Sequence, residues 1–126
     1  MPLAVFVIVK LILTMLKGRP FIALNSLGSS LTSVQAKSMA DSFYSAMVGL
    51  GTDEVSIYKL FSGMKSQYDF NKVYNAFGKR QYSSTFGNGG DPVTSDNKDL
   101  IYWLNAELNY QEKTKIKLSY PNVKVF

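Results

Sequence analysis

Residues 3–16 read LAVFVIVKLILTML, a run in which only Lys10 and Thr14 are not apolar. Water is a poor solvent for such a stretch, so the chain needs either lipid or other protein around one of its segments. As a helix the run rises roughly 21 Å, short of the ~30 Å hydrocarbon core of a bilayer. The stem of Lys17 can snorkel, and residues 21–24 (FIAL) can continue past the break at Pro20. Lys10 near the middle costs about 2.5–3.5 kcal/mol on insertion scales, which the rest of the run offsets. A secretory signal peptide is the rival reading. The expectation is a membrane-spanning or membrane-embedded helix within residues 1–24, with Leu3, Val5, Phe6, Val7, Ile8, Val9, Leu11, Ile12, Leu13 and Leu16 as its anchor side chains. Lys17 and Arg19 form a juxtamembrane basic pair and place the rest of the chain on the inner side, cytoplasmic or equivalent.

The charge pattern points the same way. Of the 126 residues, 14 are Lys or Arg and 9 are Asp or Glu, a formal +5. Lys10, Lys17, Arg19 and Lys37 account for +4 before the first acid, so residues 41–126 are nearly neutral. Phosphate backbones require clustered cations, and the one local cluster is Lys113, Lys115 and Lys117. No nucleic-acid partner is expected. With neither cysteine nor histidine, the chain excludes disulfides, thiolate chemistry, imidazole metal sites and Ser-His or Cys-His nucleophile pairs. No two acids sit where a motif would pair them, and an enzyme is not expected.

Beyond the anchor the hydrophobic period is helical. Residues 25–33 (NSLGSSLTS) read as a polar, flexible linker over 25–32. Thr32 and Gln35 match a capping box, and Ala36, Ala40, Phe43 and Met47 then share one face up to Gly49 and Gly51. Thr52 is placed to cap a second helix with stripe Ile57, Leu60, Phe61 and Met64, and Asp69 to cap a third with Phe70, Val73, Tyr74 and Phe77, closed by Gly78. Between Lys79 and Asn97 neither period survives, which reads as a long surface loop. A fourth helix is expected from near Ser95 or Asp96, burying Leu100, Trp103, Leu104 and Leu108, and a fifth over about residues 111–120 before Pro121. No convincing alternating strand occurs, although residues 123–126 (VKVF) can add one at an edge. The expected class is all-α: five short helices behind a hydrophobic one.

Two motifs carry a family resemblance. Residues 46–54 read AMVGLGTDE, followed by Ile57, and residues 99–108 read DLIYWLNAEL. Together, in this order, they resemble the annexin repeat: a Met-x-Gly-x-Gly-Thr-Asp turn between its first two helices and an Asp-Leu…Glu-Leu fourth helix. The resemblance covers about residues 33–120, one copy of a repeat that ordinary annexins carry four times, and leaves 121–126 as a tail. It implies a calcium site in which carbonyls of Met47, Gly49 and Gly51 and the carboxylate of Glu107 bind the cation, with lipid phosphate or water completing the shell. Such a ligand set suits a hard cation, and glycines give the turn access to conformations closed to other residues. The chain departs from the family at Val48, where a lysine is usual. The 54 positions from Asp53 to Glu107 also exceed the usual spacing, which makes 81–96 a loop insertion. The same turn serves equally as a plain helix stop and start, with Glu107 a solvated helix residue.

Other candidates are weaker. Tyr44, Tyr58, Tyr74, Tyr102 and Trp103 fall on or beside helical stripes and read as packing. Asp91, Asp96 and Asp99 form a minor second cation candidate. Lys113, Lys115 and Lys117 read as a solvated face with a lipid-headgroup alternative. The expected function is a membrane-anchored structural or scaffolding protein, a subunit of an envelope or of a membrane-containing virion, with the bilayer and other subunits as partners. A single annexin-like module lacks the neighbours that cover its flanks in a four-repeat protein, so another subunit is expected to do so. The alternative is a calcium-dependent phospholipid-binding module.

Overall fold

The computed structural model describes residues 21–82 and 96–126. The anchor residues 3–16, the basic pair Lys17 and Arg19, and most of the 81–96 insertion lie outside the described residues. Among the described residues the fold is all-α, with five helices and one two-stranded ribbon, and no helix is long and apolar enough to cross a membrane.

Helix α1, Ser33–Met47, opens on the expected box: the Thr32 hydroxyl accepts the Gln35 N–H, and the Gln35 side chain accepts the Thr32 N–H. It buries Ala36, Ala40, Phe43, Ala46 and Met47. Helix α2, Glu54–Ser62, is capped by Asp53 rather than Thr52. The carboxylate one residue later reaches the Ser56 N–H at 3.1 Å, which leaves the Thr52 hydroxyl for another partner. Helix α3, Gln67–Phe77, is capped by Ser66 rather than Asp69 and closed by Gly78. A serine three residues before an acid is itself a capping pattern, and it frees Asp69 for a different task.

The expected structureless stretch after α3 is pinched at its base. Strands β1, Arg80–Tyr82, and β2, Asp96–Lys98, pair antiparallel, with Arg80 opposite Lys98 and Tyr82 opposite Asp96. This pairing takes residues 96–98 out of the fourth helix. Helix α4 is therefore Leu100–Glu107 with Asp99 as its cap. Helix α5, Tyr110–Ser119, carries a reciprocal cap between Asn109 and Glu112 that the sequence reading did not identify.

Two aromatic hubs organise the core. Phe61 meets Phe43 edge-on at 5.5 Å and stacks with Phe70 and Tyr120. Trp103 gathers Tyr44, Phe77 and Tyr82, and its indole N–H donates to the Arg80 carbonyl at 3.2 Å, which ties the ribbon to α4. Aromatic pairs of this kind add about 0.5–1.5 kcal/mol each beyond their burial.

The linker and tail are bound to the body, and α3 does the binding. Gln67, Asn71 and Asn75 are spaced by four and so line one helical face. Asn75 forms a reciprocal pair with the Leu24 backbone, accepting its N–H and donating to its carbonyl at 2.8 Å each. Asn71 donates to the Asn25 carbonyl at 2.7 Å, and Gln67 forms the same kind of reciprocal pair with the Lys124 backbone. Lys72 donates to the Leu31 carbonyl. Residues 25–32 are thus a strap rather than a loose linker. The tail is likewise fastened, with Val123 buried in the core, and residues 123–126 add no strand.

Candidate functional site

Thr52 and Glu107, 55 positions apart, meet: the threonine hydroxyl donates to the glutamate carboxylate at 3.0 Å. Both belong to positions that the two motifs single out. The turn on the Thr52 side is closed by the Asp53 N–H donating to the Ala46 carbonyl at 2.8 Å. Inside it Gly49 and Gly51 take φ of 87° and 88°, the left-handed region where a Cβ is strained. An added Cβ would meet nothing within 4 Å at either position, so the requirement for glycine is conformational rather than one of space. Leu50 stands between them at 91% exposure.

The Thr52–Glu107 bond therefore joins the turn that holds three of the candidate ligand positions to the helix end that holds the fourth. Met47 is the last residue of α1 and buried, Gly49 and Gly51 shape the turn, and Glu107 is the last residue of α4 and half-buried. A hard cation fits this donor set, since carbonyls and one carboxylate are oxygen ligands. Among the described residues no group of three or more acidic side chains could hold a metal ion, so a cation here would depend on backbone oxygens. Asp53 is committed elsewhere. Its two oxygens take the Ser56 hydroxyl at 2.6 Å and the Ser56 N–H, and these bonds hold its carboxyl below the ordinary carboxylate range. Tyr82, at the root of the insertion, has its phenol pushed up by burial and then by the negative charge of Glu107.

Of the minor acidic candidate, the two described members have other roles. Asp96 pairs with Lys98 at 3.2 Å, Asp99 caps α4, and Asp91 lies outside the described residues. Of the lysine cluster, Lys115 lies over the Tyr58 ring at 4.4 Å and Lys113 donates to Asn105.

At the other end of α4 the strap enters. Phe21 stacks on Tyr74 at 5.4 Å, and the Tyr74 hydroxyl donates to Asp99 at 2.8 Å. Burial, and then this bond, push the Tyr74 phenol up to about 12. Asp69 fastens the far end of the strap. It is fully buried, and its carboxylate accepts the Ser29 hydroxyl, the Ser30 N–H and hydroxyl, and the Lys65 N–H. Burial alone would raise its pKa, but these bonds outweigh burial and hold it below the usual range. The sequence reading missed the strap. Its legible trace was the amide series Gln67, Asn71 and Asn75, repeated every four residues on one face.

No family model matches the chain, and neither a curated protein nor a solved structure matches it. The annexin resemblance accordingly rests on the two motifs.

Proposed function

We propose that this protein is a membrane-anchored structural module, a subunit of an envelope or membrane-containing assembly such as a virion, that holds a small helical body in fixed orientation against its bilayer. The observation that carries this reading is the strap. A chain leaving a hydrophobic segment at residue 20 becomes part of the folded body from Phe21 onward, through the Phe21–Tyr74 stack and the Leu24–Asn75 pair. A tether meant only to localise a domain has no need of such fastening; a module that must present a defined face does. Carbonate extraction tests the anchor: the full chain stays in the pellet and a fragment beginning at Phe21 is released. Release of the full chain overturns the reading.

The Thr52–Glu107 contact beside two left-handed glycines favours a second reading, calcium-dependent phospholipid binding of the annexin type. Met47, Gly49, Gly51 and Glu107 would hold the ion, and the ion would supply positive charge for a lipid phosphate. Millimolar calcium then raises the melting temperature of the protein by binding the folded state, and Glu107→Gln removes the rise. A calorimetric scan unmoved by calcium sinks this reading and leaves the turn structural.

A further inference from the structure

Two of the amides on the α3 face are joined to each other. Besides its reciprocal pair with the Lys124 backbone, Gln67 donates its second amide hydrogen to the Asn71 side-chain oxygen at 3.2 Å. Asn71 donates in turn to the Asn25 carbonyl at 2.7 Å. One unbroken line of hydrogen bonds, Lys124–Gln67–Asn71–Asn25, therefore crosses a turn of α3 from the tail to the strap. Its lower end is held in place by Val123, which is buried in the core.

The line has a direction. An amide offers an oxygen on one side and two hydrogens on the other. Gln67 spends its oxygen on the Lys124 N–H at 2.6 Å and its hydrogens on the Lys124 carbonyl and on Asn71. Turned over, it would set its hydrogens against the Lys124 N–H, so the seated tail fixes the orientation of Gln67. Gln67 in turn fixes Asn71 with its hydrogens toward the strap, and hydrogen bonds arranged head to tail strengthen one another. The same turn of α3 meets the strap a second time, where the Tyr68 ring lies so close to Gly28 that an added Cβ would come within 2.6 Å of Tyr68 Cδ2.

We propose that this ladder makes the tail a release catch for the strap: Leu24 and Asn25 stay fastened to α3 while Lys124 is seated on Gln67, and drawing the tail away loosens them. With the tail gone, Gln67 loses two of its three bonds and its fixed orientation, Asn71 loses an oriented donor, and the bond to Asn25 weakens. Coupling of this kind is reciprocal, so opening the strap loosens the tail by the same factor. A partner that takes up the tail thereby opens the strap without touching it. Gln67 and Asn71 are half-buried, so water replaces part of what each lost bond supplied and the factor is modest. The coupling is a property of the folded body and holds whether or not residues 3–16 lie in a bilayer.

Hydrogen exchange in the full chain, held in detergent micelles, tests it. Lys124→Pro removes the N–H that Gln67 accepts, and Lys124→Ala keeps it. The expected result is exchange about threefold faster at the Leu24 N–H in Lys124→Pro, with no change there in Lys124→Ala. The Leu108 N–H, bonded to Leu104 at the end of α4, stays as in the parent in both. In an Asn71→Ala background Lys124→Pro adds nothing, because the ladder is already cut. Unaltered exchange at Leu24 in Lys124→Pro overturns the proposal. So does a rise shared by Leu108 or by Lys124→Ala, and so does an acceleration that persists without Asn71, which would route the coupling through the core. Should Lys124→Pro fail to fold, Gln67→Met decides, since it keeps a side chain of similar length and removes the same bonds: the same threefold rise is expected, and again none on top of Asn71→Ala.

Discussion

Asp69 and Glu107 are both carboxylates that join distant parts of the chain, yet they sit in opposite circumstances. Asp69 is sealed in the interior, both oxygens filled by donors from the strap and from Lys65. Glu107 is half-buried at the rim of a turn and takes the hydroxyl of Thr52. A carboxylate surrounded by fixed donors is a structural knot, because displacing any donor strands a buried charge. A carboxylate at the edge of a glycine turn, half-exposed to solvent, strands no buried charge when one donor is displaced. The lesson is that the acid with the strongest claim to importance for stability is not the one with a claim to ligand chemistry.

The largest effect is expected at the knot. Asp69→Ala removes the acceptor for the Ser29, Ser30 and Lys65 donors and should cost about 3 kcal/mol or more, read from urea denaturation. A loss under about 1 kcal/mol would erase the distinction from Glu107. The pH dependence sharpens it. The folded carboxyl is held below its ordinary 3.8, so the stabilisation is complete above that value and is lost as pH falls through the lower, folded pKa. In that window the unfolded chain binds the proton that the folded chain refuses. Asp69→Asn should therefore flatten the acid limb of the stability curve, besides lowering it throughout.

On the turn side the next largest effect belongs to the backbone. Gly51→Val forces a β-branched residue to φ near 88° and should cost about 1–3 kcal/mol, with or without calcium. The smallest is Glu107→Gln measured without calcium, expected within about 0.5 kcal/mol of the parent, since an amide oxygen still accepts from Thr52. A larger loss there would make Glu107 a second knot.

Which parts of this were legible in the sequence follows from what hydropathy records. The faces of α1 and α3, Ala36 to Met47 and Phe70 to Phe77, are apolar repeats and were read correctly, as was the stop at Gly78. The meeting of the turn with Glu107 was legible through the two motifs. Asp69 was misread as a cap because an acid before an apolar stripe looks like one, and Ser66 three residues earlier took the role. The strap escaped because its residues, Asn25, Ser29 and Ser30, are polar in water and equally polar when bonded to a helix face. The ribbon escaped because three-residue strands carry no alternation; backbone pairing and the Tyr82–Trp103 contact define it.

The strap also determines how the molecule answers a pull. Tension arriving through residue 20 is met first by the Phe21–Tyr74 stack, then by Leu24 on Asn75, then Asn25 on Asn71, then by the serines on Asp69, and last by Leu31 on Lys72. The neutral amide bonds are worth about 1 kcal/mol each and those to the Asp69 carboxylate about 1.5–3, and all can re-form when slack returns. Only after the last of them yields does force reach the start of α1. The amide face of α3 is in this sense a sacrificial coupling, one that yields to a pull on residue 20 before the helical body unfolds.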